Sequence, residues 1–175
     1  MEHAAVPGMT REEKLRRWID AYSDAILRTC YLYLSDQSEA EDVLQDTWIK
    51  AWRYMAAYER KSIKNDKAYL MRIAINLCRD YRRTAWFRHI DNRKSLDELS
   101  PHLMQTQPED HSLSMLVMDL PDKYKQVVLM YYYQGFTQNE TAEVLGISPS
   151  AVLRRLRSAE AILKQSLTGG EGFEG

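Results

Sequence analysis

Arg72, Asn76, Arg79 and Arg83 recur at i, i+4, i+7 and i+11. On a helix that spacing gathers guanidinium groups and a carboxamide into one stripe. Guanidinium pairs with phosphate oxygens, and Tyr69, Tyr81, Trp86 and Phe87 around the stripe could stack on unpaired bases. The chemistry suits single-stranded or melting nucleic acid. A solvated basic helix face has the same composition, so the stripe alone leaves both readings open.

A second constellation lies near the C-terminus. Thr137-x-x-Glu140 has the capping-box pattern and starts a short helix through Leu145. Gly146-Ile147-Ser148 makes a turn, Ser148 caps the next helix and Pro149 fits its first turn. In that helix Val152, Leu156, Ala159 and Leu163 share a core face. Ser150, Arg154, Arg157 and Ala161 fall on the opposite side, and Arg155 lies at the flank. Short helix, tight turn and longer helix form a helix-turn-helix, whose free arginines suit guanine edges or phosphates in the major groove. A plain bundle with a solvated face explains the arginines but not the combination.

The third constellation is acidic. Asp42, Gln45, Asp46, Ile49 and Arg53 project from one side of a helix, with Trp52 at the edge. Isoleucine and tryptophan among acids fit a protein contact. They fit equally well packing against another helix of the same domain.

These faces need elements to hold them. Thr10-x-x-Glu13 caps a first helix with Leu15, Trp18, Ile19, Tyr22, Ile26, Leu27, Cys30 and Leu34 at helical spacing. Ser38-x-x-Glu41 opens a second, whose core face is Ala40, Val43, Leu44, Thr47 and Ala51. After a polar stretch from Glu59 to Asn65, Asp66 caps a third with Leu70, Ile73, Ala74, Leu77 and Tyr81 inward. Periodicity fades near Phe87 and resumes near Ser112; a helix from Pro121 then ends at a Gly135 C-cap. The expected fold is all-α: two small helical domains, 10–87 and 112–167, joined by a flexible linker at 88–111, with a disordered tail at 168–175.

Composition sets outer bounds. The net charge of −1 averages over a strong asymmetry. Residues 34–49 hold five acids and no Lys or Arg, whereas 72–94 hold seven bases and two acids. A partner feels the local field. Cys30 and Cys78 lie on apolar faces without ligand spacing and read as buried thiols; the four histidines are scattered. No metal, cofactor or phosphate-binding glycine loop is expected. No apolar run approaches the ~20 residues of a membrane span. Residues 1–10 do not read as a secretory signal, so a cytoplasmic protein is expected.

Taken in order, the motifs resemble those of bacterial RNA polymerase sigma factors of the sigma-70 family, in the small extracytoplasmic-function group. Residues 40–49 (AEDVLQDTWI) resemble its polymerase-binding helix, 69–76 (YLMRIAIN) the start of its promoter-melting and −10 helix, and 120–156 its −35 module. The resemblance covers nearly all of 10–167 apart from the linker. It implies a transcription-initiation factor, not an enzyme, that directs core RNA polymerase to promoters through −10 and −35 elements. It implies that Asp42, Gln45, Asp46 and Ile49 meet the clamp helices of the largest polymerase subunit. Asn76 would hold a flipped −10 base with the loop from Tyr58 to Lys67 completing the pocket. Arg79 and Arg83 would hold the backbone, and Tyr69 and Arg72 belong to the same −10 surface. Leu153, Arg154, Arg157 and Ser158 occupy the usual −35 reading positions, beside Ser150 and Arg155. The family usually has Lys or Arg where Leu153 stands, Thr where Ala151 stands and a base where Ser158 stands. The polymerase β flap, for the C-terminal module, and an anti-sigma factor are further implied partners.

Two other classes compete. A LuxR-type regulator shares the C-terminal module, but the motifs at 42–49 and 72–76 are foreign to it. An enzyme acting on nucleic acid would need a metal cluster or an activated nucleophile, and the candidate carboxylates all serve caps or the acidic face.

Overall fold

The structure, a computed structural model, describes residues 8–61, 63, 65–85 and 108–169. Among them every regular element is helical. The chain divides into two compact units, Met1–Arg93 and Lys94–Gly175.

In the first unit α1 spans Arg11–Leu34 and starts at the expected capping box: Glu13 N–H donates to Thr10 Oγ1 (3.1 Å) and Thr10 N–H to Glu13 Oε2 (2.9 Å). Its C-terminal end, Thr29–Leu34, is buried on all sides because α2 and α4 pack on it. Ile19, expected inside, lies at the surface. α2 spans Gln37–Arg53 and is capped by Asp36, not Ser38: the Asp36 carboxylate accepts from Glu39 N–H at 3.0 Å. An acid at that end also suits the helix dipole. Ala40, Val43, Thr47 and Ala51 are buried as expected, and Leu44 is half-buried.

A short helix absent from the sequence reading, α3, spans Met55–Arg60 and buries Met55 and Tyr58. Only its last two residues, Glu59 and Arg60, fall in the stretch read as polar. α4 spans Asp66–Ala85. Its cap is Asn65, whose side chain accepts from Ala68 N–H at 3.0 Å. Asp66, given that role by sequence, is the first helical residue and points its carboxylate elsewhere. The buried face of α4 is Leu70, Met71, Ala74, Ile75 and Cys78, while Ile73, Leu77 and Tyr81 are half-buried. The core arc is thus rotated from the expected one, because α4 packs on both α1 and α2. Cys30 and Cys78 are both buried, and no disulfide joins them.

In the second unit α5 spans Pro108–Met118, so it begins within the segment expected to be linker; the rest of that segment, with Trp86 and Phe87, lies outside the described residues. α6 spans Asp122–Val128, with Pro121 as its N-cap. The expected run to Gly135 then widens into a π-helical turn, Leu129–Tyr133, closed by Gln134 N–H on the Leu129 carbonyl (3.0 Å). Gly135 has φ +71°, as a left-handed stop requires. α7 spans Gln138–Leu145 behind the expected Thr137–Glu140 capping box. α8 spans Pro149–Gly169, so Thr168 and Gly169, assigned to the tail, are helical. Helices α6 and α7 both pack on α8 and hold its inner face.

Candidate nucleic-acid and protein interfaces

The acidic face of α2 is open. Asp42, Gln45 and Asp46 are exposed, as are Ile49 at 53 % and Trp52 at 45 %. Ala40, Val43, Thr47 and Ala51 already fill the inner side, so Ile49 and Trp52 are left outside. Of the two readings left open by periodicity, packing within the unit is not realised among the described residues.

The stripe on α4 also faces out, and the rotated core arc sharpens it. Arg72, Asn76 and Arg83 are exposed, whereas Arg79 is half-buried at the flank. Arg79 Nη1 donates to Asn76 Oδ1 at 3.4 Å, which orients the carboxamide. Arg83 pairs with Asp80 at 3.5 Å, and both side chains are well exposed. Such a pair contributes little and yields readily to a phosphate.

Tyr69 stands apart from the stripe. It is half-buried, with its ring 4.9 Å from that of Tyr58 and 6.4 Å from that of Trp18. Trp18 and Tyr58 meet edge to face at 5.0 Å, and Lys14 Nζ lies 4.3 Å from the Tyr58 ring centroid. Asp66 ties the group together. Its carboxylate accepts from Trp18 Nε1 at 3.2 Å and from the Tyr58 hydroxyl. Burial first, then the Asp66 hydrogen bond and charge, push the Tyr58 phenol far above its ordinary value. Tyr22 and Tyr69 are raised too, mainly by burial. The loop expected from Tyr58 to Lys67 is therefore shorter: both ends are helical and pinned, leaving the connection at 61–65. Sequence reasoning missed Trp18 and Tyr58 as supports, since each lies on a different helix from Asp66 and periodicity relates residues only within one helix.

The helix-turn-helix of the second unit forms as expected. Gly146 has φ +67°, a conformation a side chain would strain. Ser148 Oγ accepts from Ala151 N–H at 3.1 Å. Gln138 Nε2 donates to the Pro149 carbonyl at 2.7 Å, joining the first turns of α7 and α8. Val152, Leu156 and Ala159 are buried, Ala151 joins them, and Leu163 is half-buried. Ser150, Leu153, Arg154 and Arg157 are exposed, while Arg155 and Ser158 are half-buried. The Tyr132 hydroxyl, on the π-helical turn, donates to Glu160, the one carboxylate of α8. That bond, with burial second, raises the Tyr132 phenol to about 12. Neither Gln138 nor Tyr132 carries a signal in the sequence, because each acts across a turn rather than along a helix.

With these faces in place, comparison with known proteins gives a consistent answer. Residues 18–88 match Sigma-70 region 2, and residues 110–163 match Sigma-70 region 4. The chain belongs to the sigma-70 family of RNA polymerase sigma factors. It is 28 % identical over 170 residues to the extracytoplasmic-function sigma factor SigW of Bacillus subtilis, covering 84 % of this chain and 86 % of that one. It is 24 % identical over 160 residues to a probable sigma factor, RfaY, of Xanthomonas campestris, covering 86 % of this chain but 40 % of that longer protein. The sigma factor RpoE of Bartonella quintana, solved with the anti-sigma factor NepR, shares the fold at a TM-score of 0.73 and 18 % identity, over 89 % of this chain and 98 % of that one. The protein is thus a promoter-directing sigma factor of the extracytoplasmic-function group. Among its described residues no helix is long and apolar enough to cross a membrane, and no group of His, Cys, Asp or Glu could hold a metal ion.

Proposed function

We propose that this sigma factor anchors to core RNA polymerase through α2 and reads the promoter at two points, with α4 on the −10 element and α8 on the −35 element. The observation that carries the reading is the exposure of Ile49 among Asp42, Gln45 and Asp46 on a face of α2 that its own unit does not cover. An apolar centre with a charged rim is the composition of a protein contact. Its partner in this reading is the pair of clamp helices of the largest polymerase subunit.

Asn76, held by Arg79, receives an unpaired −10 base, while Arg72, Arg79 and Arg83 follow the backbone and Tyr69 stands at the melting edge. Capturing unpaired bases offsets the few kcal/mol that unstacking costs, so melting needs no nucleotide hydrolysis. Ser150, Leu153, Arg154, Arg155, Arg157 and Ser158 make the −35 surface, and the second unit docks on the β flap. Two weak readers on one polymerase raise each other's effective concentration. The work is binding rather than catalysis, and its place is the cytoplasm, where polymerase and promoter meet. An anti-sigma factor, of the kind solved with the Bartonella relative, would act by covering these faces.

The test is charge reversal at Asp42 and Asp46 to Lys. Both side chains are exposed, so the fold should persist by circular dichroism. Co-elution with core polymerase and promoter-specific transcription in vitro should both be lost. Full activity in the double variant would refute the assigned anchor.

A further inference from the structure

α8 carries one large apolar side chain in its first two turns that the core does not use. Val152 and Leu156 are buried, but Leu153 is 39 % exposed. It follows Ser150 by three residues and precedes Arg157 by four, so hydroxyl, isobutyl and guanidinium stack in one outward column. A single exposed leucine is ordinary on a protein surface. This one stands among the N-terminal residues of a recognition helix, the part that reaches base edges. The floor of the major groove is lined mainly by hydrogen-bond donors and acceptors; cytosine adds a small C5–H, and the C5-methyl of thymine is the one apolar group that projects from it.

We propose that Leu153 is a specificity residue that selects thymine in the −35 element by packing on its C5-methyl. The inference rests on the reading that α8 enters the major groove there. An aliphatic side chain set against any other base edge would strip water from a polar group without replacing its hydrogen bond. Against the thymine methyl it loses nothing and gains apolar burial. The neighbours Ser150 and Arg157 remain available for polar edges or phosphates on either side.

The experiment uses holoenzyme assembled from the full chain and core RNA polymerase. Promoters are first selected from a library randomised at −35. Each thymine of the selected element, on either strand, is then replaced in turn by deoxyuridine, which removes only the methyl group. At one position wild-type binding should fall by about fourfold, the worth of one buried methyl group. Leu153→Ala should bind the thymine and uracil duplexes equally, with its thermal unfolding unchanged. Arg154→Ala should bind both more weakly yet keep the about fourfold ratio. A ratio near unity at every thymine, a selected element without thymine, or a ratio that survives Leu153→Ala overturns the proposal and leaves α8 as a −35 reader. Selection of no −35 preference at all removes that reading, and the proposal with it.

Discussion

Tyr58 and Asp66 are hydrogen-bonded across the connection between α3 and α4, the phenol donating to a carboxylate that also accepts from the Trp18 indole. The two bonds close the ends of the 61–65 connection and fix it to α1. Asp66→Ala leaves a buried phenol and a buried indole without their acceptor. A loss of about 1–3 kcal/mol is expected for the first unit. The sequence has no tryptophan after position 86, so the second unit adds no tryptophan emission during urea unfolding, and Trp18, Trp48 and Trp52 report on the first. Tyr58→Phe should cost less, because the indole keeps its acceptor. An unchanged midpoint in Asp66→Ala would show that the cluster does not hold the unit.

The same phenol predicts alkaline sensitivity. Unfolded, Tyr58 titrates near its ordinary value of 10.0; folded, it titrates well above, through burial and then the Asp66 bond. The folded state therefore holds a proton that the unfolded state gives up. Stability from this group is complete below pH 10 and is lost as pH rises above it. Tyr22 and Tyr69 shift the same way and add to the slope. Urea midpoints measured from pH 8 to 11 should fall at the alkaline end for wild type and fall less for Tyr58→Phe. Equal slopes in the two proteins would remove Tyr58 as the source.

The contrast between Thr10 and Asp66 shows what the sequence makes visible. A capping box is local, its partners three positions apart; of the three that the sequence shows, those at Thr10 and Thr137 form as written, whereas the one at Ser38 does not, because Asp36 caps α2 two residues earlier. The outward faces of α2 and α8 are visible for the same reason, since helical period separates them from Val43 or Val152. Asp66 looks like a cap on local grounds, yet Asn65 takes that role and Asp66 serves partners brought in by tertiary packing. The rotated core of α4 has the same origin. Periodicity gives one stripe, but a helix packed against both α1 and α2 buries a wider arc, taking in Met71 and Ile75. The π-helical turn at Leu129–Tyr133 has no local mark in five largely aromatic and aliphatic residues.

Asn76 should matter for unpaired DNA rather than for the fold. It is exposed, and its carboxamide accepts from Arg79 on its own helix. Asn76→Ala is expected to leave the unfolding free energy from urea titration within about 0.5 kcal/mol of wild type. On duplex promoters it should slow open-complex formation, followed by permanganate reactivity of unpaired thymines. On templates already mismatched across the −10 region much of the defect should disappear, because the unstacking cost has been removed. Equal defects on both templates would place Asn76 outside the melting step.

Arg154 and Arg157 should separate by salt dependence. Both are exposed on the outward face of α8, but Arg154 lies nearer the helix N-terminus, where side chains reach base edges. Arg157 lies about one turn further back, which in the proposed docking sets it nearer the groove wall. A bidentate base contact is worth about 1–3 kcal/mol, so Arg154→Ala should weaken holoenzyme binding by at least about fivefold and relax −35 preference. A phosphate contact instead releases a counterion, so Arg157→Ala should flatten log affinity against log salt by about 0.9 and weaken all sequences alike. Titration of both variants between about 50 and 200 mM salt spans the range where such losses are large. The opposite pattern, with the flatter slope in Arg154→Ala and relaxed preference in Arg157→Ala, would exchange the two roles. The result would show that α8 enters the groove along its second and third turns rather than end-on.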